Sequence, residues 1–307
     1  MCKKWHRWDY LFKLLEKHKN LIYILLFFGM IGWGASWVNA KFLSHYIDAY
    51  DMILFRFGIT AFTMIPIILV LKKSFKIDIK SFGVAFLASV VFITYMKYYF
   101  MGTKYGTASL GGAFVTTLVP IITFLLLAIL GEKKMRKKDY FALFLGAIGV
   151  LTMLNIWNSS LKDILVVQNL YFLLASFLWP IFTIISSKSK TISPIVFSFY
   201  LYIITITLDS IFFVDFRSIA YESFDTTFWI NLLILSVVSS TFSNTVYFIG
   251  IERLGAGSVS TFIFLVPFSA IILSAIFLKE QISLSIILGT ILTIYAIKIL
   301  NNIRFFK

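Results

Sequence analysis

Charge is scarce in this sequence, and so are the residues on which most enzyme chemistry rests. Only 14% of the 307 residues are charged, against 60% hydrophobic. Soluble domains average about 25% charged residues, so a sizeable soluble body is excluded. Cys2 is the single cysteine, which excludes a disulfide framework and a CxxC metal site. The three histidines, His6, His18 and His45, all fall outside the apolar runs, and no HExxH occurs. That removes the usual basis for intramembrane hydrolysis or metal chemistry. No GxxxxGK[ST] loop is present, so pumping driven by a P-loop ATPase is not expected. No small-residue cleavage site follows the first apolar run, which is therefore expected to remain as a span. The reading is a non-enzyme without metal or cofactor.

What the chain has in abundance is long apolar runs. They recur near 21–40, 52–71, 82–101, 110–130, 140–157, 169–187, 195–214, 229–250, 258–278 and 282–300. Each is close to the roughly 20 residues that cross a hydrocarbon core of about 30 Å as a helix. Backbone polar groups in lipid must be satisfied internally, and these runs lack the short alternation of barrel strands. The expectation is an all-α membrane protein of ten transmembrane helices. The net charge of +14 would suggest nucleic acid in a soluble protein. Here the basic residues sit in short loops, which makes topology their cause. With the N-terminus inside, only Lys41, Lys104, Lys162, Arg217 and Lys279 fall in outer loops, and only Arg56 and Lys97 within spans. The remaining Lys and Arg all fall on the inner side, as the positive-inside rule requires. Both termini are thus expected in the cytoplasm of a cell bounded by a bacterial inner membrane. Before the first span, Trp5, Trp8, Leu11, Phe12 and Leu15 alternate with Lys and Arg at helical spacing. Residues 1–20 are expected to hold a short interfacial helix.

The chain also repeats. Gly102, Gly106, Pro120 and Glu132 reappear in the same order, at nearly constant separation, as Gly250, Gly255, Pro267 and Glu280. The division is a first five-helix repeat over 21–157 and a second over 158–307, within one membrane domain. An odd number of spans inverts the second repeat relative to the first. Inverted repeats are a common architecture of secondary transporters, whose substrate sites lie near the midplane between halves.

Candidate binding residues are those whose chemistry lipid cannot satisfy. In the eighth span Ser236, Ser239, Ser240, Ser243, Asn244 and Tyr247 share one stripe at spacings of three and four. Serines also mediate close helix packing, but a buried amide such as Asn244 needs partners. Pro120, close to Thr116, and Pro267, close to Phe264, each remove a backbone donor in mid-span; Pro180 follows Trp179. Trp33 and Ser36 lie deep in the first span, where tryptophan is unusual. Intramembrane charges are candidates by default. Arg56 and Lys97 could snorkel to headgroups, pair structurally or meet an anionic substrate group. Asp209 is a possible partner of Arg56 or proton carrier, although no second buried acid accompanies it. Glu132 and Glu280 close their spans beside lysines and are expected to cap, pair and brace gates. The substrate set is Trp33, Ser36, Lys97, Thr116, Pro120, Trp179, Ser240, Asn244, Tyr247, Phe264 and Pro267.

Across nearly the whole chain the sequence resembles the EamA-type, ten-span members of the drug/metabolite transporter superfamily. The carriers in the first half are Gly32-Trp33-Gly34-Ala35-Ser36 with Lys41, Phe55-Arg56-Phe57, Tyr99 to Tyr105, Pro120 and Gly131-Glu132-Lys133. The second half answers with Ser239-Ser240, Gly250, Leu254-Gly255-Ala256, Pro267, Lys279-Glu280 and Gly289. Lys279 departs from the glycine that often precedes this acid, and Lys97 places a charge in the third span where the resemblance implies no requirement for one. The resemblance implies alternating access, with export or exchange of amino acids, amines or related metabolites driven by a proton or substrate gradient. It also implies that the fifth and tenth helices stand aside, with Ala142, Gly146 and Gly149 available for close contact at a homodimer. A flippase for a lipid or lipid-linked substrate is the alternative. A channel is disfavoured because no ring of selectivity residues is visible.

Overall fold

The structure is a computed structural model and describes residues 19–132, 134–158, 161–254, 259 and 262–301. The interfacial segment expected before the first span lies outside the described residues, apart from Lys19 and Asn20, as do Gly255 and Ala256. Among the described residues all regular structure is helical. The main segments are α1 (Lys19–Leu43), α2 (Ala49–Val70), α3 (Ile79–Tyr105), α4 (Ala108–Ile129) and α5 (Lys137–Met153), then α6 (Val167–Ser186), α7 (Pro194–Phe212), α8 (Thr226–Leu254), α9 (Leu265–Phe277) and α10 (Leu284–Asn301). Seven of these, α1 to α4 and α6 to α8, are long and apolar enough to cross a membrane. The apolar segments Phe262–Phe277 and Leu284–Leu300 are shorter. The α5 segment has 17 residues and opens with Lys137, Lys138 and Asp139.

Local chemistry sets the boundaries. Asp78 accepts the Ser81 N–H at 2.9 Å to cap α3, and Asp225 accepts the Phe228 N–H at 2.9 Å to cap α8. Pro194 opens α7, where its missing N–H costs nothing. Two helix exits match across the repeat. Gly131 after α4 has φ +75°, and Lys279 after α9 has φ +56°. Both residues enter the left-handed region, free for glycine and strained for lysine, and each is followed by a glutamate.

The packing also repeats when every helix number is advanced by five. The α3–α6 contact answers α8–α1, α4–α6 answers α9–α1, and α3–α7 answers α8–α2, while α2–α7, α4–α9 and α5–α10 map onto themselves. Close approach marks two crossings. A Cβ on Gly112 would strike Ala270, joining α4 to α9. A Cβ on Gly149 would lie 2.9 Å from the Gly289 carbonyl, joining α5 to α10. Small residues let membrane helices approach in this way. Ala142, Gly146 and Gly149 are buried within the chain, Gly146 against Ile121 and Ala296. This corrects the expectation that the α5 small-residue face is available to a second copy: α4 and α10 already cover it.

Alternating helices give the bundle two ends. One carries Lys41, Gly106, Asp225 and Glu280; the other carries Lys73, Glu132, Lys188 and Glu252. They are called the Glu280 end and the Glu132 end below.

Candidate functional site

The centre of the bundle holds a belt of polar side chains contributed by α1, α2, α3, α7 and α8. Trp33 Nε1 donates to Asn244 Oδ1 at 2.9 Å, and Asn244 Nδ2 donates to the Tyr202 hydroxyl at 2.7 Å. The Tyr247 ring lies 5.0 Å from the Trp33 ring. Ser36 Oγ donates to the Trp33 carbonyl at 2.6 Å and accepts the Tyr99 hydroxyl at 3.1 Å. The half-buried Asn244 amide therefore has both a donor and an acceptor partner, which offsets much of the cost of taking it out of water.

Arg56 enters this belt from α2. It is only 7% exposed. Its Nε donates to Ser240 Oγ at 3.0 Å, and Nη1 lies 3.9 Å from Met96 Sδ. The guanidinium stands 5.1 Å from the Phe57 ring centroid and 5.9 Å from those of Tyr99 and Phe100. Such cation–π contacts are worth about 0.5–2 kcal/mol each. Among the described residues Arg56 makes no ion pair. The expected pairing with Asp209 is thus corrected: Arg56 is held by a hydroxyl, a thioether and aromatic faces. Asp209 is fully buried and neither of its carboxylate oxygens has a hydrogen-bond partner. A second buried acid lies on the neighbouring helix: Asp51, in the first turn of α2, is 9% exposed, and α2 packs on α7.

The serine stripe of α8 is more irregular than its spacing predicted. Residues Ile234–Phe242 form a π-helical stretch inside α8. Ser240, Thr241 and Ser243 hydroxyls donate to the carbonyls five residues earlier, at 3.0, 3.1 and 2.9 Å. π-Helical insertions are rare and concentrate at functional sites. Here the wider turn brings Ser240 to Arg56 and Thr241 to Thr63, 2.6 Å apart. Ser236 and Ser239 hydroxyls are buried without partners.

The remaining candidates separate into three places. Pro120 and Trp179 face each other across a pocket of about 200 Å³ between α4 and α6, lined also by Val119, Thr123, Phe124, Leu127 and Thr183. These positions lie in the halves of α4 and α6 nearer the Glu132 end. Thr116 bonds back to the Gly112 carbonyl one turn above Pro120. Trp179 is also 4.8 Å from Tyr95, ring to ring, and so links the pocket to α3. Pro267 is buried in α9. Phe264 packs with Ile121, Phe124, Ala142, Ile297 and Leu300, which separates it from the central belt. Lys97 is also separate: its ammonium sits 5.4 Å from the Tyr50 ring centroid, towards the Glu280 end. Tyr202 was not legible beforehand, because only its contact with Asn244 distinguishes it from the other tyrosines of apolar runs.

At the Glu280 end direct bonds join the two halves and also tie helices of the first half to one another. Glu280 Oε1 accepts the Ala108 N–H at 2.8 Å and Oε2 accepts the Ser109 N–H at 2.9 Å. The second half thereby caps a helix of the first, as expected of a brace. Lys41 Nζ donates to the Lys104 and Gly106 carbonyls, both at 2.8 Å, and Lys104 meets Asp48 at 3.1 Å. Tyr46 donates to Asp225 at 3.0 Å. The Phe228 N–H, followed by the Tyr46 hydroxyl, holds the Asp225 carboxyl below its usual range. No cluster of His, Cys, Asp or Glu able to hold a metal occurs among the described residues.

The sequence profile of the EamA-like transporter family matches the chain twice, over residues 20–155 and 167–302. Two Bacillus subtilis (strain 168) proteins are similar. The uncharacterized transporter YyaM is 24% identical over 266 residues, covering 84% of this chain and 86% of its own. The uncharacterized transporter YetK is 24% identical over 287 residues, covering 87% and 82%. A solved structure titled only as the crystal structure of a protein superposes with a TM-score of 0.60 at 15% identity, over 90% of this chain and 94% of that one. The last likeness concerns the fold alone.

Proposed function

This chain belongs to the EamA-like transporter family, a multi-pass integral membrane family, and on that premise we propose that it is a secondary active transporter of small metabolites. It works by alternating access between its two halves, with ten spans and both termini on the cytoplasmic side of a bacterial inner membrane. Amino acids, amines and related compounds are the substrate class, moved by export or exchange.

The observation that carries this reading is the central belt. Trp33, Asn244 and Tyr202 form a continuous hydrogen-bonded chain across α1, α8 and α7, with Arg56 and Ser240 beside it. A hydrogen-bonded polar belt in the middle of an apolar bundle offers a substrate donors and acceptors that the rest of the bundle lacks. The substrate enters by the pocket at Pro120 and Trp179, exchanges its water for the belt's hydroxyls and amide, and leaves when the Glu280 braces release. In that orientation the Glu132 end faces the cytoplasm, in keeping with the lysines around it and with export.

The test is flux in liposomes. The purified protein is reconstituted and offered a mixed panel of amino acids, amines and organic anions, followed by mass spectrometry with and without a pH gradient. Saturable flux of one class is expected. It should fall at least about tenfold in Asn244→Ala, which leaves Trp33 Nε1 and the Tyr202 hydroxyl without a partner at about 1–3 kcal/mol each. A folded protein that moves none of the panel but moves labelled lipid would overturn the reading.

A further inference from the structure

The central belt leaves one buried charge-bearing cluster unused. Asp209 lies in the last turn of α7, and its carbonyl accepts the N–H groups of Phe213 and Val214 as the helix ends. Its side chain is fully buried, and both carboxylate oxygens lack partners. One turn earlier on the same face, Thr205 Oγ1 is also buried and unpartnered. That is unusual for α7, where Ser198, Thr207 and Ser210 all donate to the carbonyl four residues back. The cluster is therefore an open set of polar atoms in a dry place. It is not a completed internal network.

An ionised carboxylate there would be opposed three times. Burial without hydrogen bonds costs several kcal/mol. The negative end of the α7 dipole adds to it, and so does the charge of Asp51 across the α2–α7 contact. Asp51 has the opposite setting, since it lies in the first turn of α2 where the dipole favours a negative charge. Of the two acids, Asp209 is the more deeply buried and has neither a helix N-terminus nor a hydrogen-bond donor to hold a charge, so the proton is placed on Asp209. Nearby cations do not answer the charge. On α2, Arg56 is engaged with Ser240 and Met96; on α3, Lys97 lies over Tyr50 and Lys104 meets Asp48. Ahead of α8, Asp225 is bound by Tyr46 and Phe228. The other charges acting on Asp51 are the negative ones of Asp48 and Asp215.

We propose that Asp209, one turn from Thr205 and across the α2–α7 contact from the helix that carries Asp51, is a proton-binding site that must be loaded for the Glu280 end to close. Closing takes one proton from the water at that end onto an Asp209 oxygen. Opening wets the cluster and returns the proton, leaving two hydrated carboxylates. The ligand is a proton, and its binding is linked to the gate that the transporter reading requires, on which this inference rests. The closed-to-open ratio then falls by up to tenfold for each pH unit above the point at which the group titrates.

The experiment reads the gate directly and needs no substrate. Spin labels are attached in the full-length protein at Tyr105→Cys and Gln281→Cys, two exposed positions at the Glu280 end, in a Cys2→Ser background. Their separation is measured in lipid nanodiscs from about pH 5 to about pH 9. The expected result is one short distance in acid and a growing longer one in alkali. Asp209→Asn, neutral at every pH, should keep the short distance throughout and should lose the protonated-carboxyl band from infrared difference spectra. Asp51→Asn should retain the response but displace it to lower pH, because the neighbouring negative charge is gone. A wild-type distribution that ignores pH, an Asp209→Asn protein that still responds, an unmoved Asp51→Asn curve, or opening governed by sodium at fixed pH would each overturn the proposal. Failure here with intact liposome flux leaves the transporter reading standing, whereas a pH-driven gate without flux of any compound removes that reading alone.

Discussion

Glu280 and Glu132 occupy equivalent places in the two repeats, yet their surroundings differ. Glu280 follows the strained Lys279 and spends both oxygens on the first turn of α4, joining the halves. Glu132 follows the relaxed Gly131, is half exposed and meets Lys188 at 3.4 Å. The helices around them differ as well. α1 packs on α3 and α4 as well as on α8 and α9, whereas the corresponding contacts of α6 with α8 and α9 are not formed to the same extent. Where α6 stands off, the Pro120–Trp179 pocket opens. One sequence pattern therefore supplies two ends whose glutamates are held differently, Glu280 by backbone N–H groups and Glu132 by an exposed lysine.

The strongest way to break this comparison is Glu280→Ala. Two charge-assisted bonds to helix N–H groups are lost, and hydrogen bonds of this type contribute about 1.5–3 kcal/mol each before water replaces them. A net shift of about 2 kcal/mol, or roughly 30-fold, towards an open Glu280 end is expected. The distance between labels at positions 105 and 281 measures it. An unchanged distribution would show that Glu280 decorates the closed end without holding it.

Lys279→Gly sharpens the comparison by making the second exit like the first. Lysine in the left-handed region costs about 1 kcal/mol, which glycine does not. The closed end should gain up to about that amount, roughly fivefold in the same distance measurement. A loss of closure would mean that the lysine side chain itself contributes at this end. Glu132→Ala should do still less. An exposed ion pair is worth about 0–1 kcal/mol, so the gate should move by less than about fivefold, despite the equivalence of the two glutamates in sequence.

Much of this was legible in the residues. The paired glycines, prolines and glutamates gave the two halves, and the deep Trp33 and the amide of Asn244 proved to be bonded to each other. What stayed hidden depended on changes of helical register and on contacts between distant segments. The π-helical stretch of α8 aims Ser240 at Arg56, and no spacing of three and four anticipates an i to i+5 turn. The 3₁₀ turn Phe262–Phe264 ahead of α9 similarly turns Phe264 towards α4, α5 and α10. Asp209 and Asp51 are far apart in the chain, and only the packing of α2 on α7 places them on adjacent helices at the same end of the bundle. A single-span reading therefore saw Asp209 as a lone acid and passed over Asp51.

The smallest expected effect separates the two ends by pH. At the Glu132 end Asp78 accepts the Thr191 hydroxyl at 2.6 Å and the Ser81 N–H at 2.9 Å, tying the start of α3 to the loop before α7. The Thr191 hydroxyl, then the Ser81 N–H, holds this exposed carboxyl well below the usual carboxylate range. A group whose value is depressed by folding gives its full contribution above the ordinary aspartate value of about 3.9 and loses it only as the pH falls through the depressed value. Between about pH 5 and about pH 9 the Asp78 tie is therefore constant. Asp78→Asn should loosen the α3 start slightly, visible as faster amide exchange at Ser81, and leave the pH response of the Glu280 end unchanged. If that response changed in Asp78→Asn, the proton-sensitive element would lie at the Glu132 end. Asp209 would then be a passenger of the gate, with no part in loading it.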